Sequence, residues 1–254
     1  MRKTLTLIAA MMSAMFWTGS AFAQEGTVYI PVDIIPCSYN EGMGPSDLDA
    51  VVDKWNAYMD DSDSDTYAAY TMTKHYTGAD QDFDFAWLGV HKSGTTMGAG
   101  QDRWMETGGA LMAEFAAVAD CPAASNFASR MFKAPPGGNI PQDGVILFSD
   151  CKVKDGVNFE DLLTATAEWA KILGDAGSQA AMYHWYPTFG GGDEDFDFKS
   201  ISSYPSYEEF GKDYDRMGNG GLFWQKQDMI DSMVDCDVER VYHAQSRRSA
   251  QIRD

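Results

Sequence analysis

Hydrophobic and polar residues alternate from Val28 to Ile34: Val28, Ile30, Val32 and Ile34 fall on one side and Tyr29, Pro31 and Asp33 on the other. That period of two predicts a strand with one buried face. The period then lengthens. Leu48, Val51, Val52, Trp55 and Met59 recur at helical spacing behind Pro45, and Ser46 followed by Asp49 predicts a capping box at the helix start. Residues 67–76 and 83–91 are β-rich runs joined by a Gly- and Asp-rich turn, which predicts a hairpin. A second helical stretch over about 100–118 carries Trp104, Leu111, Met112, Phe115 and Val118, and a last strand covers about 124–132. The order is βαββαβ.

The same order returns. Residues 78–85 read GADQDFDF and residues 191–198 read GGDEDFDF, six of eight positions matching at an offset of 113. Asp47, Leu48 and Trp55 recur as Asp161, Leu162 and Trp169, Gly98 and Asp102-Arg103 as Gly211 and Asp215-Arg216, and Cys37 and Cys121 as Cys151 and Cys236. A collinear series of this length predicts two copies of one module. In the second copy a strand at 145–148 leads into a helix capped by Asn158, with Leu162, Leu163, Trp169 and Leu173 on one face. A hairpin through Gly190–Gly192 follows, then a capping box of Ser206 and Glu209 and a closing strand at 238–244. The breaker-dense run Ala134–Pro141 lies between the copies.

Two βαββαβ units follow the ferredoxin-like pattern, whose four-stranded sheet leaves one face bare. Two copies in one chain can cover each other, sheet against sheet, with helices outside. With this repeated order, and with DFDFKSISSYPSYEEFGKDYDRM at 195–217 as a strand running into a short helix, the chain resembles the dimeric α/β barrel superfamily. That group holds antibiotic-biosynthesis-type monooxygenases, NIPSNAP- and EthD-like proteins and haem-binding chlorite dismutase relatives. The resemblance implies an α+β fold of two tandem ferredoxin-like modules closing an intramolecular pseudo-dimeric barrel, at 24–133 and 143–254 with a linker at 134–142. It is one of topology, and no catalytic motif transfers by position.

Four cysteines admit three pairings. In a ferredoxin-like unit strand 1 runs antiparallel beside strand 4, so the implied bridges are Cys37–Cys121 and Cys151–Cys236, one per module. Pairing between modules is the alternative. There is no Cys-x-x-Cys to suggest redox catalysis.

Disulfides need an oxidising compartment, and the N-terminus agrees. Arg2 and Lys3, an apolar run from Leu5 to Trp17 and Ala21-Phe22-Ala23 read as a signal peptide cleaved before Gln24, hence a periplasmic or secreted protein. Removing residues 1–23, which hold two basic and no acidic side chains, moves the net charge from −19 to −21. Such a surface repels phosphates, so nucleic acid is not an expected partner. No later stretch has the length of a membrane span. An internal duplication removes the need for a homodimer, so a monomer is expected.

Candidate chemistry lies where the copies differ. His75, His91, His184 and His243 face Thr188, Tyr204, Thr71 and Ala128 or Ser129 in the other copy, so structure common to both modules does not require them. Alternation places Tyr183 and Trp185 on one face of their strand and His184 with Tyr186 on the other. If strand 4 of each copy lies beside strand 2 of the other, His243 approaches His75 and His184 approaches Arg130. His243, in phase with Val241, is expected on a partly buried face. Trp55 and Trp169 occupy one helical position in both copies, as core residues or as the wall of a pocket.

The expected site is therefore a pocket for a small, partly apolar molecule, lined by Trp55, His75, Arg130, Trp169, Tyr183 and Trp185. By the resemblance, turnover there would be cofactor-independent oxidation or isomerisation with His184 or His243 as base and Tyr186 orienting the substrate. A non-catalytic binding module and a protein-interaction domain are the alternatives. No metal site is expected, since no H-E-x-x-H or paired-histidine motif occurs. No cofactor is expected either, with an axial haem histidine left open. Asp61, Asp63 and Asp65 open like a calcium loop, but Thr66 and Met72 stand where Gly and Glu are needed. There is no nucleophile elbow, P-loop or dinucleotide fingerprint.

Overall fold

The alternation at the N-terminus becomes β1 (Tyr29–Tyr39), whose Ile30 and Val32 are 4% and 1% exposed. The computed structural model describes residues 28–61, 65–138, 143–192 and 194–250, so the expected signal peptide, Asp63, Asp193 and positions 139–142 of the linker lie outside the described residues.

Helix α1 (Pro45–Asp60) buries Leu48, Val51, Val52 and Trp55 as its period requires. It starts two residues before the expected capping box. Proline suits the first helical position because it lacks the N–H that would be unpaired there, so Gly44 becomes the cap and donates its N–H to Asp47 Oδ2 at 2.9 Å. Asp49 instead accepts from Arg247. Strands β2 (Tyr67–Tyr76) and β3 (Phe85–His91) form the expected hairpin.

The second helical stretch is two helices, α2 (Gly94–Thr107) and α3 (Gly109–Val118). They break at Gly108, where a Cβ would sit 2.6 Å from the carbonyl oxygen of Trp104. Then come the two-residue β4 (Ala119–Asp120) and β5 (Ser125–Lys133).

The order β, α, β, β, α, α, β, β then recurs. It comprises β6 (Asp143–Val153), α4 (Phe159–Asp175), β7 (Ala181–Phe189), β8 (Phe198–Tyr204), α5 (Tyr207–Gly218), α6 (Leu222–Lys226), β9 (Val234–Cys236) and β10 (Arg240–Arg248). Asn158 caps α4 through Glu160 N, and Ser206 caps α5 through Glu209 N.

Eight strands close into one antiparallel barrel in the order β10, β2, β3, β1, β5, β7, β8, β6, with β6 returning to β10. The two expected facing sheets are thus a single wall. The reason lies at the seams: β5 bonds β7 and β10 bonds β2, which leaves no edge unpaired. One face of every strand points inward, and Ile30, Val32, Tyr70, Leu88, Phe148 and Trp185 are among the residues that fill the interior. At one mouth Asp150 pairs with Lys199 and Arg240, so charge rather than apolar surface meets solvent there.

The helices cover the outer face. Cys37, Leu48, Trp55, Ala69 and Phe85 form one helix–sheet core, and Cys151, Leu162, Phe198 and Val234 another. The short β4 and β9 pair with the ends of β1 and β6 and bring the cysteines together as Cys37–Cys121 and Cys151–Cys236. Both disulfides point to an oxidising, extracytoplasmic setting. Among the described residues no helix is long and apolar enough to cross a membrane.

Candidate functional site

Register across the wall sets out a row of polar side chains on the outer face. Tyr29, Arg130, His184, Ser200 and Ser149 stand opposite one another across β1, β5, β7, β8 and β6. The positions related by the sequence repeat form a second row on the other side of the barrel: Asp143, Gln245, Thr71, Trp87 and Ile35. There Trp87 packs edge-on against Trp55, with centroids 5.2 Å apart, and fills the space beneath α1. In the first row Ser200 and Ser149 stand where the second has Trp87 and Ile35, and an imidazole and a guanidinium stand where it has Thr71 and Gln245.

His184 is 4% exposed. Its ring lies between Phe132 and Phe198, at centroid distances of 4.5 and 4.2 Å, and its Nδ1 is 3.3 Å from Tyr186 Oη. Burial, reinforced by the positive Arg130, pushes its pKa down to about 3, so the imidazole is neutral at any ordinary pH. Burial likewise raises the Tyr186 phenol above its usual range. Arg130 lies over the Phe132 ring at 4.9 Å, and among the described residues it has no carboxylate partner. The rim of this cluster is aromatic and open. Tyr29 and Phe159 are 46% and 40% exposed and lie 6.1 and 5.8 Å from the Tyr186 ring.

The remaining candidates lie elsewhere. Tyr183 and Trp185 point into the barrel, as alternation requires, and the buried Trp185 Nε1 has no hydrogen-bond partner among the described residues. Trp55 and Trp169 are 6% and 3% exposed and lie on the buried faces of their helices. His243 sits three strands away from His184 around the wall and is exposed, contrary to the partial burial expected of it. It stands opposite Thr73, and it and His75 meet through Tyr207, with ring centroids 6.2 and 4.7 Å from that phenol.

One cluster has no forerunner among the sequence-derived site residues. His91 Nε2 lies 2.7 Å from Asp33 Oδ2, Asn126 Nδ2 donates to Asp33 Oδ1 at 2.7 Å, and Thr188 donates to the Asn126 carbonyl at 2.8 Å. The available signal was that Asp33 and His91 correspond to Leu147 and Tyr204 in the other copy. A surface groove of 530 Å³ beside Cys236 is lined chiefly by carboxylates, including Asp150, Glu194, Asp195 and Asp235, and holds none of these histidines.

The described residues include no group of three or more metal-ligating side chains. Among the histidines, His184 has its Nδ1 beside Tyr186, His91 has its Nε2 on a carboxylate, and His75 and His243 are exposed.

The closed wall with helices outside decides the fold. It is that of the dimeric α/β barrels. A structure provisionally named as a chlorite dismutase superposes with a TM-score of 0.54 at 11% identity, over 89% of this chain and 98% of that one. One provisionally named as a monooxygenase from Lactobacillus acidophilus gives 0.53 at 12%, over 88% and 96%. Another, from Fusobacterium nucleatum, gives 0.53 at 9%, over 86% and 93%. At these identities the likeness is one of barrel architecture. No protein-family model matches the chain, and no curated protein matches it in sequence.

Proposed function

We propose that this α/β barrel is an exported, tandemly duplicated protein, with modules at 24–133 and 143–254. It holds a small, partly apolar molecule against the outer wall at Arg130, His184 and Tyr186. The observation that carries the reading is the inequality of the two rows. The fold is built equally well over Thr71 and Gln245, so the buried imidazole and the nearby guanidinium are not demands of architecture. A neutral histidine beside a phenol supplies directed hydrogen bonds, and Tyr29, Phe159 and Tyr186 supply apolar contact.

Binding rather than proton transfer is the role that suits His184 in the free protein. An imidazole with a pKa of about 3 is a weak base at neutral pH, far from the value at which general-base catalysis is most effective. The enzyme reading stays as the second one, supported by the barrel's likeness to structures provisionally named as monooxygenases. Native mass spectrometry and an absorption spectrum of protein secreted without refolding test the proposal. Mass in excess of the disulfide-bonded chain beginning at Gln24, lost on His184→Gln or Arg130→Gln, is the expected result. Excess mass retained in both variants would place the ligand elsewhere.

A further inference from the structure

We infer that the ligand of the Arg130–His184–Tyr186 site is a planar aromatic molecule bearing a carboxylate, which Arg130 receives; this rests on the site assigned above. Arg130 is the exception among the described arginines. Arg103, Arg216, Arg240, Arg247 and Arg248 each donate to a backbone or carboxylate oxygen. In a chain with 38 acidic and 19 basic side chains, carboxylates are plentiful, yet none lies within ion-pair distance of Arg130 among the described residues. A guanidinium sheltered against Phe132 and left without an anion offers a planar fork of donors that matches a carboxylate.

The surroundings say what that carboxylate is attached to. Tyr29 stands opposite Arg130 in the β1–β5 register, and its ring and that of Phe159 flank Tyr186 with much of their surface open. Two open rings against Tyr186, one of them on the residue that stands opposite Arg130, suit a flat apolar body with a single negative end. Electrostatics agree with the geometry. Arg130 depresses the protonation of His184, and an anion on Arg130 cancels that field, so ligand and imidazole proton bind cooperatively.

The test compares 2-naphthoate with the neutral isostere 2-naphthamide on the full-length protein, by titration calorimetry with NMR mapping of the His184 and Tyr186 signals. Naphthoate is expected to bind at least tenfold more tightly than naphthamide. Arg130→Gln is expected to remove the preference for naphthoate over naphthamide, and Arg130→Lys to leave part of it. Equal affinity for both probes in the parent protein, with shifts at His184, would overturn the carboxylate while leaving the site intact. Probe binding that shifts neither His184 nor Tyr186 would overturn the site itself, and no binding of either probe would overturn the aromatic carboxylate class. Melting curves of both variants establish that loss of binding is not loss of fold.

Discussion

Arg130 and His184 stand directly opposite each other across the β5–β7 seam, a cationic side chain held beside an imidazole that burial already keeps uncharged. Neither the two neighbours of His184 in its own strand nor any local motif creates this pairing. It exists because a strand from the first half of the chain bonds to one from the second.

The first consequence is a pH dependence of stability. In the unfolded chain His184 takes up a proton below about pH 6.5, whereas in the folded protein it refuses one until about pH 3. Between those values the unfolded state binds more protons, so folding stability contributed by this site is intact above pH 6.5 and falls as the pH drops. Urea unfolding at pH 7.5 and pH 5.0 should show the parent protein losing about 2 kcal/mol more than His184→Gln over that interval. Parallel losses in the two proteins would contradict a buried neutral histidine.

Arg130→Gln should move the His184 pKa upward, since it removes a positive charge. The value should stay below the ordinary imidazole range, because burial is the larger cause. An NMR titration of the imidazole carbon-bound protons in both proteins reads this directly, and an unchanged value would separate the two side chains electrostatically.

Removing either disulfide lengthens the reach of the unfolded chain. Cys37–Cys121 and Cys151–Cys236 span separations of 84 and 85 residues, for which loop entropy implies about 4 to 5 kcal/mol each. The double variant Cys151→Ser with Cys236→Ser should therefore show a strongly lowered Tm in a melting scan. A Tm within a degree or two of the parent's would mean that β9 is held by packing alone.

Asp213 is 4% exposed and accepts from both the Ser178 hydroxyl and Arg216. Asp213→Ala leaves a partly buried guanidinium and a buried hydroxyl without their acceptor, at a cost of about 3 to 5 kcal/mol. Chemical denaturation measures it, and a loss below about 1 kcal/mol would show that the network is solvated.

Much of the barrel is legible in the periodicities. The strand at 29–39, the helix carrying Trp55 and its counterpart carrying Trp169 follow from spacing alone, because burial of one face imposes its period on the residues. β4 and β9 are invisible for the opposite reason: two or three residues have no period, and they are strands only because an adjacent strand end offers hydrogen bonds. The helix break falls at the Gly108-Gly109 dipeptide, a turn signal that the helical spacing of the apolar residues on either side masks.

The site divides in the same way. Alternation in Met182–Tyr186 by itself determines that His184 and Tyr186 share one face and Tyr183 and Trp185 the other, since successive strand side chains must point to opposite sides. How deep each face lies is decided only by the fold. His184 is neutral because it is buried against Phe132 and Phe198, whereas His243, beside the Tyr207 ring, stays exposed. The Asp33–His91 pair and the meeting of His75 and His243 at Tyr207 are likewise products of neighbours distant in the chain. Local pattern specifies direction, whereas burial, partner and charge state arise from contacts between segments that the sequence does not place side by side.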